Sequence, residues 1–158
     1  AASDVYKRQS GGLYWLAKSI LHNDEDVKDA VQEAVLTAYE KLDTLRDENS
    51  FKPWIMRILA NTAYSMIRRS KPNTDIDSLA EELPAPQDED REESMALWQA
   101  VRGLGESLRT VTVLFYYDDM PIKDISRALG ITEGTVKARL SRARAKLRIA
   151  MSEQEETL

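Results

Sequence analysis

The stretch that decides the fold is Met120–Ile149, MPIKDISRALGITEGTVKARLSRARAKLRI. Pro121 suits the first turn of a helix, where its missing N–H costs little. Ile122, Ile125 and Leu129 follow at helical spacing, and Gly130 supplies a stop that tolerates positive φ. Ile131 fills the corner, and Thr132 is placed to cap a second helix. That helix carries Val136, Leu140, Ala143 and Leu147 as one apolar stripe. At about 100° per residue, Gly134, Ala138, Ser141 and Ala145 point the other way. Lys137 and Arg148 flank this small-residue strip on one edge, Thr135 and Arg142 on the other. Two helices joined by a short Gly-containing turn, the second with an outward basic face, read as a helix-turn-helix. Small side chains let the helix lie deep in a major groove while longer basic ones reach phosphates and base edges. The competing reading is a charged, solvated amphipathic helix. Turn, cap and both apolar stripes agree with one another, which favours DNA binding.

A chain of 158 residues allows one ordinary domain or two small ones. No apolar run approaches the roughly 20 residues needed to cross a bilayer, and no secretory signal pattern opens the chain. The absence of cysteine excludes disulfide frameworks and thiolate chemistry and fits a reducing cytoplasm. With one histidine, His22, a zinc site would rest on carboxylates, an unfavourable arrangement. No Gly-rich phosphate loop, nucleophile–base pair or metal-ligand cluster is present, so no enzyme, cofactor or metal is expected. The net charge of −5 conceals a division along the chain. Residues 72–93 hold nine acidic side chains and one basic, whereas residues 94–151 hold ten basic and five acidic. A basic C-terminal module is fenced by an acidic segment before it and an acidic tail, 152–158, after it.

Upstream, residues 1–12 form a lead with little periodicity and receive no assignment. Leu13, Leu16, Ala17, Ile20 and Leu21 define a short helix ending near His22–Asn23. Asn23-Asp24-Glu25-Asp26 is a capping cluster for a helix running to about Leu42, with Val27, Val31, Ala34, Val35, Ala38 and Leu42 on its buried side. Asp29, Gln32, Glu33 and Leu36 project elsewhere. Either Leu36 broadens the core stripe, or a leucine among acids marks a docking surface. After the polar connection 43–50, a helix extends from Phe51 to about Arg69, apolar over much of its girth through Trp54, Ile55, Ile58, Leu59, Met66 and Ile67. Arg57, Asn61, Tyr64 and Arg68 fall on one line along it. That line suits phosphates and unpaired bases, although a polar outer face is the simpler reading of the pattern alone. Residues 72–93, with three of the five prolines, have the composition of a linker. A helix then resumes with Leu97, Val101 and Leu104 and ends near Gly103 and Gly105. In Leu108–Tyr117 the run VTVLFYY admits a strand, but its place before the helix-turn-helix favours a helix closing the small core.

Taken together, DAVQEAVLTAYEKLDTL (29–45), FKPWIMRILANTAYSMIRR (51–69) and ITEGTVKARLSRARAKLR (131–148) resemble the small two-domain bacterial sigma factors of the extracytoplasmic-function group. The resemblance implies an all-α chain of two helical domains, 13–71 and 94–151, joined by the acidic linker. It implies that Asp29, Gln32, Glu33 and Leu36 face the β′ clamp helices of core RNA polymerase, with the β flap as a further contact. It places Leu45, Asn49, Arg57, Asn61, Tyr64 and Arg68 at the promoter −10 element, around a flipped base whose extrusion costs a few kcal/mol. Leu45 stands where some relatives carry an aromatic. Thr135, Lys137, Ala138, Arg139, Ser141 and Arg142 would read the −35 duplex, and the acidic linker would pass through the RNA exit path. An anti-sigma factor is the implied inhibitor, and the cytoplasm the implied location. The residues leave two other readings: a helix-turn-helix regulator acting without polymerase, and a protein–protein adaptor whose basic helix is incidental.

Overall fold

A computed structural model describes residues 12–70 and 91–156, and these are helical without a strand among them. Almost all of the lead (1–12) and of the linker (72–93), and the last two residues of the tail, lie outside the described residues. Helix α1 covers residues 12–20. Asn23 then stops one helix and starts the next, its side-chain oxygen accepting from the Asp26 N–H at 2.8 Å. Three acids follow in the first turn of α2 (Asp24–Glu40), where the helix dipole favours them. Helix α2 ends two residues short of the sequence expectation. Leu42–Thr44 tightens into a 3₁₀ turn, and the Thr44 hydroxyl donates back to the Lys41 carbonyl at 2.6 Å. A second 3₁₀ turn, Glu48–Ser50, is held by the Asp47 carboxylate accepting from the Asn49 N–H. It feeds α3 (Phe51–Arg69), whose Pro53 sits in the first turn, where no N–H is needed.

Helix α4 (Arg91–Arg102) starts within the final residues of the expected linker, and α5 (Glu106–Thr112) follows the Gly103–Gly105 break. The VTVLFYY run is helical. Thr110 and Thr112 send their hydroxyls to carbonyls one turn back, which suits β-branched polar residues buried in a helix. Val113–Tyr117 then widens into a π-turn, closed by the Asp118 N–H on the Val113 carbonyl at 3.2 Å.

Helix α6 (Ile122–Leu129) ends at Gly130, which has φ +68, and its N–H bonds back to the Ser126 carbonyl. Thr132 caps α7 (Glu133–Glu156) as expected, its hydroxyl accepting from the Thr135 N–H at 3.1 Å. Helix α7 carries Val136, Leu140 and Ala143 fully into the core, Leu147 partly, and continues through the acidic residues to Glu156.

The two helical units share one core. Leu13, Leu16 and Ile20 of α1, Ile55 and Leu59 of α3, Leu114 of the π-turn, Ile125 of α6 and Leu140 of α7 belong to a single buried cluster. Helix α3 packs against α2 on one side and against α6 on another. Across the same seam Trp15, Trp98 and Tyr117 form an aromatic triad with centroids 5.0–5.2 Å apart.

Candidate nucleic-acid interface

On α7, Gly134, Lys137, Ala138, Ser141, Arg142 and Ala145 are exposed, and Thr135 and Arg139 are half-buried. Not every arginine of the helix is available. Arg144 donates through Nε to the Tyr116 hydroxyl at 2.6 Å and lies over that ring, a structural use of the charge. Arg142 by contrast is exposed, and the small residues beside it leave room for a base edge.

A second feature forms where the 43–50 connection meets α3. A pocket of about 310 Å³ is walled by Thr44, Leu45, Arg46, Asp47, Ser50, Pro53, Trp54 and Arg57, with Arg127 reaching in from α6. The expected −10 residues therefore divide. Leu45 and Arg57 converge on the pocket. Asn49 is exposed on the adjoining 3₁₀ turn, and Asn61 and Arg68 lie exposed farther along α3. Tyr64 is half-buried beside Glu106 of α5. Burial and that carboxylate raise its pKa well above the usual phenol range. Arg139 exerts an opposing pull on Tyr64 from α7, so it borders the seam as well as the outward face.

Sequence reasoning passed over Trp54, grouping it with the apolar side of α3. It is half-buried at the pocket wall, its ring 5.9 Å from that of Phe51. It thus supplies an aromatic surface beside Leu45. The signal was its spacing of three from Arg57, which puts both on neighbouring parts of one face.

On α2, Asp29, Gln32 and Glu33 are exposed, and Leu36 is 65% exposed. The core-broadening alternative for Leu36 fails on that exposure. Tyr39, three residues on and 80% exposed, extends the apolar part of this face and had gone unremarked.

Residues 5–72 match the family described as Sigma-70 region 2, and residues 94–147 match Sigma-70, region 4. The chain is 30% identical over 143 residues to the RNA polymerase sigma factor SigV of Bacillus subtilis (strain 168), covering 90% of this chain and 86% of that one. To the ECF RNA polymerase sigma factor SigW of the same organism it is 31% identical, covering 92% and 84%. The chain belongs to the extracytoplasmic-function sigma factors of the sigma-70 family.

Among solved structures, the sigma factor RpoE in complex with the anti-sigma factor NepR from Bartonella quintana has the same fold. The TM-score is 0.72 at 24% identity, covering 95% of this chain and 96% of that one. CnrH, solved with the cytosolic domain of CnrY, superposes with a TM-score of 0.70 at 24% identity, covering 96% and 87%. This sigma factor is accordingly a polymerase-binding transcription initiation factor, and a helix-turn-helix regulator acting without polymerase is not favoured. No helix among its described residues is long and apolar enough to cross a membrane.

In the sigma factor the two units are pinned together by polar contacts as well as by the shared core. Lys52 of α3 meets Asp118 at 3.0 Å, and burial pushes the Asp118 carboxyl up against the pull of that ammonium. Arg109 of α5 donates to the Ser19 carbonyl at 2.6 Å and to the Leu104 carbonyl at 3.0 Å. Arg127 donates to the Ser50 hydroxyl at 2.7 Å. The contacts Lys52–Asp118, Arg109–Ser19 and Arg127–Ser50 join residues far apart in sequence, and no periodicity announced them.

Proposed function

We propose that this sigma factor reads a −35 duplex with the outward face of α7 and a −10 element with the pocket and the outer line of α3. In this reading Thr135, Lys137, Ala138, Arg139, Ser141 and Arg142 face the duplex. Leu45, Asn49, Arg57, Asn61, Tyr64 and Arg68 serve the melted strand, with Trp54 offering a flat surface to an extruded base. Asp29, Gln32, Glu33 and Leu36 dock on the β′ clamp helices, and the β flap meets the C-terminal domain. The domains run over 13–71 and 94–151, joined by the acidic linker, and the protein acts in the cytoplasm without chemistry of its own. An anti-sigma factor is its expected inhibitor.

The observation that carries this reading is the exposed small-residue strip of α7 flanked by Lys137 and Arg142. It suits a groove-reading helix better than a solvated surface, which has no need of a run of Gly, Ala and Ser. Promoters selected from a random library by the chain together with core RNA polymerase provide the test. Arg142→Ala should relax selection at the −35 position alone. Asn61→Ala should spare −35 duplex binding yet reduce strand opening. Equal loss of both activities in Asn61→Ala would make that residue structural instead.

A further inference from the structure

The bond between Arg144 and Tyr116 keeps that arginine out of the groove, yet it does not use up either side chain. Only Nε is engaged, with the phenolic oxygen accepting at 2.6 Å, and the guanidinium carbon lies 5.8 Å from the ring centroid. The two Nη groups take no part in that bond, and a phenol that accepts still has its own proton to donate. Both residues remain at the surface, Tyr116 at 48% exposure. At about 100° per residue, Arg144 falls about 20° from Lys137 and about 40° from Arg148 around α7. These three cations make one flank of the helix, next to the small-residue strip and outside it. The flank of a helix lying in a major groove faces the sugar–phosphate wall, while its centre faces the bases. Tyr116 meets that same flank from the π-turn before α6.

We propose that Tyr116 and Arg144 together clamp one phosphate of the duplex that α7 reads, the Nη groups and the phenolic proton donating to its oxygens. The proposal rests on the −35 reading given above and adds to it two residues that touch the backbone, not the bases. A planar guanidinium suits the paired oxygens of a phosphate. Stacked over the ring and bonded at Nε, it is already oriented, so little side-chain freedom is lost when the phosphate arrives. An untethered cation on the same flank must be ordered at that moment. A phosphate contact carries no sequence information but fixes the register in which Arg142 and the small-residue strip meet the base edges. The tyrosine acts twice, positioning Arg144 and supplying a donor of its own.

The test uses the full chain and a fluorescein-labelled mixed-sequence duplex, titrated over a range of salt concentrations. Arg144→Ala should weaken binding several-fold and lower the slope of log affinity against log salt by about one, the signature of one lost phosphate contact. Arg144→Lys and Tyr116→Phe conserve net charge, so both should keep the slope and still weaken binding several-fold. A diffuse effect of charge would leave both at wild-type affinity. In the variant carrying Tyr116→Phe and Arg144→Lys together the losses should not multiply, because the tyrosine acts partly through the arginine. Thermal melting is followed in parallel. Lower melting temperatures with unchanged affinity in Tyr116→Phe and Arg144→Lys would make the pair structural and overturn the proposal. If Arg144→Ala loses helicity by circular dichroism, the two charge-conserving variants decide alone. Promoter selection with core RNA polymerase tests the −35 reading separately. Selected promoters sharing no −35 preference would sink that reading, while the clamp stands or falls on the salt titration.

Discussion

Arg57 on α3 and Gly130 at the end of α6 are fitted to one another: a Cβ at 130 would overlap Arg57 Nη1. The same glycine has φ +68, a conformation that side chains resist. One position thus serves two needs, stopping α6 and letting a cation from the other unit approach it closely.

Gly130→Ala should therefore destabilise the fold by about 1–2 kcal/mol from the left-handed backbone alone, with displacement of Arg57 adding to it. Gly134 is the control, since a Cβ there meets only ordinary contact with Thr132. Gly134→Ala in the first turn of α7 should be neutral or stabilising by up to about 1 kcal/mol. Urea midpoints for the two variants, moving in opposite directions, check the assignment.

Arg109 is a heavily used cation at the seam, its partly buried guanidinium donating to the carbonyls of Ser19, Leu104 and Arg102. Arg109→Ala should cost about 1–3 kcal/mol in chemical denaturation, because buried carbonyls lose their donors. Arg109→Lys should recover little of this, since one ammonium cannot reproduce the forked geometry.

His22 lies near that guanidinium, and its pKa is held below the usual 6.5 by burial and by Arg109 and Arg102, with Glu106 opposing. The unfolded chain then takes up the proton at a higher pH than the folded one. The stability involved is intact above about pH 6.5 and is lost as pH falls through the folded-state pKa. Urea midpoints recorded down this range should fall for the wild type, and His22→Gln should flatten that part of the profile.

Arg142 and Arg144 are two residues apart but have different uses, one exposed beside the small-residue strip and one bound to Tyr116. Arg142→Ala should weaken binding to a −35 duplex by about 1–3 kcal/mol if it forks onto a base. Arg144→Ala should lower thermal stability with little change in sequence preference. Competition binding against a scrambled duplex separates the two.

The parts of the molecule legible in the sequence are those decided locally. Gly130, Thr132 and the Val136–Leu140–Ala143 stripe specify the turn, the cap and the buried face of α7 within a few residues of one another. The acids after Asn23 did the same for the start of α2, and Leu36 is exposed on the face where its acidic neighbours place it. What periodicity could not convey is which finished surface meets which. Tyr64 read as part of an outward polar line because helical spacing says nothing of a second unit packing against it. The half-burial of Tyr64 and the reach of Arg127 into the pocket follow from that long-range packing. Trp54 packs partly against the core, as its place on an apolar helix indicates, while the neighbouring loop leaves its other side at the pocket, which spacing alone does not reveal.

Run-off transcription with core RNA polymerase tests the central claim most directly. Adding the full chain should produce transcripts from defined start sites on promoters that core polymerase alone ignores, and Leu36→Asp should abolish them by disrupting attachment. If the wild-type chain neither binds core polymerase nor produces any defined start, its role as a promoter-directing subunit is contradicted.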